Sequence, residues 1–394
     1  MHDYDIIIVG AGLSGLSLAA CLQNQPIKIA ILEDHLPGVL QGQKDLRPIS
    51  LSHTSQQLLQ TLGLWPELSF SASPIQTVHI SDQGHFGAVR IRAEEFAVSA
   101  LGYVVPYCEL QKVCYQFVAA LPNVDIISIE SLDAMQRNEQ LTRLAVTINN
   151  ESQFLTTPLV VGADGAHSTV RDLASIDYSE KETDLIALTA KLNISRPDLG
   201  VAYERFSKLG TLAILPGQGH DCGLVWTMSS AQFAEIDDLT EAELIARVQS
   251  VFAYRLGRIQ SFAKNGSYKL QNISSQTQQL PGVVLIGHAA HTFLPLAAQG
   301  LNLSLRDIAL LAELYVSGDV DCYQDKRLRD QKNIQRLTAF ASTWQQMPLL
   351  KSVKSFGLLA TELLPSLQQF VGKLGIGHSG YVPKLMRDIA LCTM

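Results

Sequence analysis

The hydrophobic pattern of the chain opens with a short apolar run that leads into a glycine turn. Residues 6–9 are all apolar, an apolar helical pattern follows Gly15 as far as Leu22, and a second apolar run ends at Glu33. Continuous apolar runs this short are typical of strands buried on both faces, and a helix between two of them makes a β-α-β unit of about thirty residues. We therefore predict a parallel, nucleotide-type sheet that starts near the N-terminus.

The buried-strand pattern returns at residues 159–161 and 283–286, and each of these runs also ends at a glycine. Between them, residues 184–229 alternate as the strands of an antiparallel sheet do, and further helices are predicted at 110–121, 241–254, 305–315 and 323–345. The pattern favours an α/β fold: a Rossmann-type domain built from separated segments, with an inserted α+β domain and a helical C-terminal region. We place the first domain at 1–72, 101–180 and 279–345, the second at 73–100 and 181–278, and the C-terminal region at 346–394.

The composition is that of an ordered globular protein, with 47% apolar and 17% charged residues and a formal net charge of -7. The chain has no basic run, which argues against nucleic acid as a partner. The six cysteines form no C-x-x-C pair, so we expect no metal site, no disulfide framework and a reducing, cytoplasmic setting. A mean hydropathy of +0.13 favours contact with a membrane surface or an apolar ligand, although no apolar run is long enough to span a bilayer.

The first glycine turn, Gly10-x-Gly12-x-x-Gly15, is the strongest chemical signal. Its glycines permit a tight turn, a close approach of the backbone to a pyrophosphate, and close packing of helix on strand. Glu33 ends the second strand 23 positions after Gly10, where a carboxylate is expected to accept a ribose hydroxyl. Strand, helix and acid together predict dinucleotide binding, and a purely structural glycine turn is the alternative.

A second G-x-G-x-x-G, at residues 375–380, follows a helical pattern and precedes Pro383. It is typical of a helix end and a loop. A nicotinamide cofactor therefore has no obvious Rossmann site of its own.

Two later segments are also candidates for ligand binding, because each follows a short buried strand. The first contains Asp164, Gly165, Ser168 and Arg171, and the second runs from Gly287 to Leu303. Ligands gather at the carboxyl ends of strands in such sheets. With these three motifs in this order, the chain resembles the para-hydroxybenzoate hydroxylase-like (class A) flavoprotein monooxygenases over nearly its whole length.

The resemblance implies FAD as the cofactor, NADPH or NADH as the electron donor and O2 as a substrate. It implies that the first motif holds the ADP half of FAD, that the second meets the pyrophosphate region and a nicotinamide donor, and that the third meets the ribityl chain and the flavin ring. The residues that it assigns to the cofactor are Gly10, Gly12, Gly15, Glu33, Arg47, Gln111, Asp164, Gly165, Arg171, Gly287, His288, Gly300, Leu301 and Asn302. Pro295, His291 and Gly300 are the expected catalytic positions, because the Pro295–Leu301 loop lies along the flavin in this family. A loop histidine satisfied by backbone is the alternative for His291.

Within this family, the chain is most similar to the ubiquinone-biosynthesis hydroxylases, above all to the 2-polyprenyl-6-methoxyphenol hydroxylase branch. The residues behind this are 202–206, 210–216 and 224–226. The resemblance implies a polyprenylated phenol as substrate, with Tyr203 and Arg205 as candidate contacts unless they belong to an ordinary sheet face. The chain departs from the common third motif at His288, where Asp is usual, and at Ala298 and Ser304, where Gly is usual.

Two other functions stay open at this point. One is a flavin-dependent reductase or dehydrogenase of an isoprenoid, and the other is a flavin-free scaffold in a quinone-biosynthesis assembly, where the partners are other ubiquinone-biosynthesis proteins. The C-terminal region is apolar and carries an excess of basic residues. It is expected either to touch the inner face of the cytoplasmic membrane or a partner, or to pack on the core.

Overall fold

The computed structural model describes residues 2–35, 45–84, 87–197, 200–292, 299–328, 330–332, 365–378 and 380–393. Its α-helices are α1 (Leu13–Cys21), α2 (His53–Thr61), α3 (Trp65–Leu68), α4 (Tyr107–Ala119), α5 (Thr169–Leu173), α6 (Ser230–Ala234), α7 (Glu241–Phe252), α8 (Gln299–Ser317) and α9 (Pro365–Gly375). Residues 323–328 and 330–332 are also helical. Short 3-10 helices lie at Ala93–Phe96, Gly287–Ala289, Val320–Cys322 and Lys384–Arg387.

Strands occupy most of the remaining described chain. The first eleven are β1 (Ile6–Val9), β2 (Ile29–Glu33), β3 (Pro48–Ser52), β4 (Ser73–Ile75), β5 (Thr77–Asp82), β6 (Ala88–Arg92), β7 (Gly102–Pro106), β8 (Val124–Ser128), β9 (Ser131–Arg137), β10 (Thr142–Ile148) and β11 (Glu151–Thr157). The other ten are β12 (Leu159–Gly162), β13 (Tyr178–Lys181), β14 (Leu185–Ile194), β15 (Val201–Ser207), β16 (Gly210–Pro216), β17 (Asp221–Ser229), β18 (Ile259–Lys269), β19 (Asn272–Ser275), β20 (Gln279–Leu280) and β21 (Val283–Leu285).

A six-stranded sheet, in the order β20-β21-β12-β1-β2-β8, forms the nucleotide side of the molecule. Every pair in it is parallel except β20 with β21. All residues of β1, β12 and β21 are buried, as expected for strands covered on both faces. On one side α1 packs against α8, and on the other the sheet β11-β10-β9 covers the core. The predicted α/β fold class is confirmed.

A seven-stranded sheet, in the order β18-β14-β17-β16-β15-β5-β6, forms the second large layer. The expectation of an antiparallel sheet needs one correction, because β15 runs parallel to β5. The reason is that β5 arrives from the separate segment before residue 100, so no tight hairpin restricts its direction. The polar strand β18 is not predicted by the hydrophobic pattern, since its sequence shows little alternation. Helix α7 packs on one face of this sheet.

One helix boundary near the third motif differs from expectation. Helix α8 (Gln299–Ser317) already includes Asn302, which therefore does not lie in the loop before the helix. The hydrogen bonds of Asn302 to β3, described below, stabilise this earlier start. The helix predicted at 323–345 is observed as far as residue 332, and its remainder lies outside the described residues.

The second glycine repeat is a helix end, as predicted. Helix α9 stops at Gly375, and Gly377 follows with a φ of +88°. The amide of Thr54 donates a 3.1 Å hydrogen bond to the carbonyl of Ile376, which fixes this end against the start of α2. The predicted apolar segment before residue 365 lies outside the described residues. Among the helices that the structure describes, none is long and apolar enough to cross a membrane.

Candidate active site

The three motifs meet at the carboxyl edge of the parallel sheet. Strands β21, β12, β1 and β2 are consecutive neighbours there, so the loops that follow them lie side by side. The glycine loop follows β1, the Asp164 loop follows β12 and the Gly287 segment follows β21. Glu33 ends β2 next to the glycine loop. Residues separated by more than a hundred positions are thereby brought to one edge, where ligands bind in such sheets.

The glycines of the first motif divide into two that pack and one that borders open space. Gly10 has a φ of +109°, and a Cβ there would lie 2.5 Å from the carbonyl oxygen of Ala163. A Cβ at Gly15 would overlap the carbonyl oxygen of Gly10. A Cβ at Gly12, the N-cap of α1, would meet no atom within 4 Å. Gly10 and Gly15 thus pack tightly within the turn, while Gly12 leaves the N-terminus of the helix open.

Glu33 lies beside that helix N-terminus. Its carboxylate accepts hydrogen bonds from the backbone amides of Ala11 and His35, the latter at 3.0 Å. Burial has the largest effect on the pKa of Glu33 and raises it. The two hydrogen bonds lower the pKa and the neighbouring Asp34 raises it, and the net result is a raised pKa. The carboxylate is thus half-buried at the end of β2, the place expected for a ribose contact.

The second motif forms a self-bonded loop. The Asp164 carboxylate accepts a 2.5 Å hydrogen bond from the Ser168 hydroxyl and a 3.0 Å hydrogen bond from the amide of Val170, while burial raises its pKa. Gly165 has a φ of +87°, and a Cβ there would meet nothing within 4 Å. Asp164 therefore shapes the loop, and Gly165 borders open space.

Arg171 is placed behind this loop, at 1% exposure. Its guanidinium donates a hydrogen bond of 2.9 Å to the carbonyl of Ala166 and one of 3.2 Å to the carbonyl of Ala289, and it stacks on the ring of Tyr178 at 3.9 Å. It ties the second motif to the third. Direct contact with pyrophosphate or nicotinamide stays a prediction that this geometry does not favour.

The third motif begins against α1, since a Cβ on Gly287 would overlap the side chain of Ser14. The next residue, His288, is exposed in the cleft. The protein around the cleft nevertheless lowers the His288 pKa to about 4, through desolvation first and then through the charges of His291 and Arg47. The imidazole is therefore neutral at neutral pH and able to accept a hydrogen bond.

His291 has the opposite environment. It is 2% exposed, and its Nε2 lies 2.6 Å from a carboxylate oxygen of Asp307 in α8. The other oxygen of Asp307 accepts a 2.5 Å hydrogen bond from Arg327, which also pairs with Asp330 at 2.9 Å. Arg306 completes this buried network with a 3.0 Å contact to Asp330.

All five members of the buried network are at most 5% exposed. The pKa of Asp307 is lowered to about 2: desolvation raises it, but the charges of Arg327 and His291 outweigh that effect. Sequence reasoning missed Asp307, Arg327 and Asp330. The signal was present, because Arg306 and Asp307 interrupt an otherwise apolar helical run, which is expensive unless such charges are paired.

The end of the third motif also has one residue that borders open space and two that pack against the protein. A Cβ on Gly300 would meet nothing within 4 Å, whereas Leu301 packs against the core. Asn302 is 3% exposed, accepts a 2.8 Å hydrogen bond from the amide of Ser52 and donates one of 2.9 Å to the carbonyl of Ser50. Pro295 and Ala298 lie outside the described residues.

Arg47 connects the two halves of the molecule. Its guanidinium pairs with Asp45 and lies 4.7 Å from the ring centroid of Tyr107 in α4 and 4.5 Å from that of Tyr268 in β18. Gln111 lies one turn after Tyr107 on the same face of α4. The positive charge of Arg47 also lowers the pKa of His288.

Tyr203 and Arg205 lie on the face of the seven-stranded sheet that packs against α7, and their contact with substrate stays a prediction. The Tyr203 ring packs edge-on against Phe252 of α7, with 6.1 Å between the ring centroids. Arg205 donates a 2.8 Å hydrogen bond to the carbonyl of Val251. Side chains alternate along a strand, and Gly223 on the opposite face approaches Pro48 of β3. Their contacts are those of an ordinary sheet face, the alternative noted from the sequence.

The open edge fits a dinucleotide. Helix α1 carries neither a side-chain cap nor an acidic residue in its first turn, so its N–H groups are available to phosphate. Gly12, Gly165 and Gly300 all border open space, from three different loops. These groups would hold the pyrophosphate and the neighbouring parts of FAD.

Comparison with known proteins agrees with this geometry. The family model described as "FAD binding domain" matches residues 3–316. The chain belongs to this family. The predictions of a flavoprotein, of FAD as cofactor and of an NAD(P)H-dependent monooxygenase are confirmed.

Two relatives and one solved structure illustrate the similarity. The 3-demethoxyubiquinol 3-hydroxylase of Escherichia coli is 28% identical over 95% of this chain and 98% of its own length. The ubiquinone hydroxylase UbiL of Rhodospirillum rubrum is 30% identical over 79% of this chain and 72% of its own. The p-nitrophenol 4-monooxygenase PnpA of Pseudomonas putida has the same fold, with a TM-score of 0.75 at 17% identity over 93% of this chain and 96% of its own.

Proposed function

We propose that this FAD-dependent hydroxylase acts in ubiquinone biosynthesis and inserts one oxygen atom from O2 into the ring of a polyprenylated phenol. Both relatives named above, a 3-demethoxyubiquinol 3-hydroxylase and a ubiquinone hydroxylase, support this substrate class. The observation that carries the proposal is the position of Arg47, whose guanidinium lies over the ring of Tyr107 in α4 and over the ring of Tyr268 in β18 of the seven-stranded sheet.

The sheet face turned toward the FAD side suits an apolar ring. Ala213, Val225 and Thr227 lie on neighbouring positions of β16 and β17, on the same face as Gly223, and all are partly exposed. Short side chains at these positions leave room above the sheet. An aromatic ring with a prenyl chain would bury apolar surface there, which favours binding by about 25 cal/mol per Å².

The protein's own groups bind the cofactor and orient it relative to the substrate. FAD, when bound and reduced, supplies the activation of O2 and the oxygen transfer. Neutral His288 offers a hydrogen-bond acceptor to the cofactor, and the N–H groups at the start of α1 hold phosphate. Arg47, held between Tyr107 and Tyr268, keeps a positive charge at the junction of cofactor and substrate sides.

We place the hydroxylated position at that of 2-polyprenyl-6-methoxyphenol hydroxylases, on the residues 202–206 and 210–216 quoted above. The Escherichia coli relative supports a second candidate, hydroxylation of a demethoxyubiquinol. Deletion of the gene separates them through the quinone precursor that accumulates: an unhydroxylated methoxyphenol supports the first, and a demethoxyquinone the second.

The central experiment uses the purified, FAD-loaded enzyme with NADPH, a short-chain prenyl phenol and isotopically labelled O2. One labelled oxygen atom in the product is the expected result. Product formed equally without O2 would instead support the reductase. Protein that stays colourless after FAD is added would support the scaffold function.

A pair of variants tests the sheet face. Ala213→Trp places a large ring on the FAD side, whereas Ala246→Trp makes the same change at an exposed position of α7. We expect Ala213→Trp to keep the flavin spectrum and NADPH oxidation but to lose hydroxylation by about tenfold or more, and Ala246→Trp to behave as wild type. Normal hydroxylation by Ala213→Trp would place the substrate elsewhere.

A further inference from the structure

Two arginines meet on the face of the seven-stranded sheet that packs against α7, opposite the face that approaches Pro48. Arg205 projects from β15, and Arg255 follows the end of α7. Arg255 Nη1 lies 3.0 Å from Nε2 of His79, and its Cζ lies 5.8 Å from the ring centroid of Tyr203. We call Arg205 and Arg255 the arginine pair.

The positive charge of the arginine pair is not balanced by an ion pair. Within the described part of the chain, neither guanidinium forms a salt bridge with a carboxylate. Desolvation lowers the pKa of Arg205, and the charge of Arg255 lowers it further, while Asp82 opposes them. Like charges held together in a chain of net charge -7 create a local field that attracts anions.

The histidine beneath the pair does not add to this charge, but it orients one arginine. His79 is 6% exposed, and its pKa is lowered to about 4 by desolvation, then by Arg255 and Arg90. A neutral imidazole carries an acceptor nitrogen, so it receives a hydrogen bond from Arg255. The guanidinium is thereby held at the surface, where Arg255 is exposed.

Capping of α7 explains only part of the arrangement. Arg205 Nε donates to the carbonyl of Val251 and its Nη1 donates to the Ser81 hydroxyl at 3.0 Å, which satisfies the helix end. The backbone amide of Arg255 donates a 3.3 Å hydrogen bond to the carbonyl of Phe252, but its guanidinium has no hydrogen bond to α7 within the described chain. Each guanidinium has five N–H donors, and Nη2 of neither arginine has a partner among the described residues.

We propose that the arginine pair is a binding site for a phosphate group, separate from the FAD cleft. Several phosphate oxygens can accept hydrogen bonds from two guanidinium groups, and guanidinium binds phosphate in a bidentate way. The phosphate comes either from a soluble compound or from the head group of an anionic lipid. The proposal is independent of the hydroxylated ring position and of the substrate.

The test measures binding to the FAD-loaded enzyme with two probes. Inorganic pyrophosphate is titrated by calorimetry, and sedimentation is followed with phosphatidylcholine vesicles with and without phosphatidylglycerol. Arg255→Gln is the decisive variant, because Arg255 is exposed and its loss leaves the α7 cap in place. Arg258→Gln is the matched control, since it removes one charge from an exposed arginine three positions later.

We expect Arg255→Gln to weaken binding by about tenfold or more, the effect of one charge-assisted hydrogen bond, and Arg258→Gln to change it little. Arg255-dependent binding of pyrophosphate identifies a soluble ligand, and Arg255-dependent binding confined to phosphatidylglycerol vesicles identifies a lipid head group. Absence of saturable binding to both probes, or equal losses in the two variants, overturns the proposal. Flavin absorbance and NADPH oxidation are expected to stay unchanged in both.

Discussion

The segment 287–292 carries two histidines, His288 and His291, that differ in burial and in bonding partners. His288 is exposed, and its pKa, lowered to about 4, keeps the imidazole neutral at neutral pH. His291, three residues later, is buried against Asp307 at 2.6 Å and joins a network of paired charges. The same short sequence thus carries one group that faces the cofactor side and one that holds the segment in place.

The difference extends to all three motifs. Gly12, Gly165 and Gly300 border open space, whereas Arg171 and Asn302 bond to backbone carbonyls behind the cleft. The supporting groups fix loops that come from distant parts of the chain. A substitution on the supporting side is therefore expected to change stability, and a substitution on the cleft side to change FAD affinity.

The largest effect is expected at Asp307. Asp307→Asn removes the negative partner of Arg327 and His291 inside the core, and breaking a buried pair costs about 3–5 kcal/mol. Denaturant unfolding of the FAD-loaded enzyme measures it. Asp321→Asn, at an exposed position, is the control and is expected to stay within about 0.5 kcal/mol of wild type. Equal stability of the two variants would show that the buried charge network does not stabilise the fold.

The next effect separates two glycines of one motif. Gly10→Ala places a methyl group 2.5 Å from a carbonyl oxygen at a φ of +109°, and a strain of about 1–3 kcal/mol is expected in the unfolding free energy. Gly12→Ala places its methyl group in open space, so stability should stay near wild type while FAD binding weakens. Thermal unfolding of the apoprotein and FAD titration, done on both variants, give the comparison. A Gly12→Ala variant that binds FAD normally would contradict the assigned phosphate site.

A smaller effect is the loss of the Asp307 contribution to the free energy of unfolding, which we expect only in acid. The pKa of Asp307 falls from 3.8 to about 2 on folding, so between these values the unfolded state binds the proton and the folded state does not. The contribution of Asp307 is therefore complete above about pH 4 and is lost as the pH falls toward 2. The difference in unfolding free energy between wild type and Asp307→Asn, followed against pH, should be flat above that window and shrink within it. A difference that shrinks already near pH 6 would point to another group.

The smallest effect is expected at His288. His288→Leu removes one acceptor from the cleft, and FAD affinity should fall by a few-fold to about tenfold, the worth of one hydrogen bond. His288→Asp, which introduces the residue usual in the family, should bind FAD at least as tightly as wild type. Flavin fluorescence titration of the apoprotein measures both. Unchanged affinity in His288→Leu would separate this side chain from the cofactor.

Much of the FAD edge was predictable because its signals are local. Strand, glycine turn, helix and Glu33 follow one another within 33 residues, and each needs only its neighbours to be interpreted. The orientation of Tyr203 and Arg205 was not predictable in this way. It depends on which face of β15 meets α7, and a shift of one residue in register would reverse it.

The sequence by itself determined the class of fold, the FAD family and the glycines that shape the turn, because backbone conformation and hydrophobic period are properties of short stretches. Only the tertiary structure decided which motif residues face the cleft and which support it. Arg171, His291 and Asn302 became supporting groups through partners at Ala289, Asp307 and Ser52, which lie 118, 16 and 250 positions away in the chain. Contacts at such separations arise from packing, and no local pattern records them.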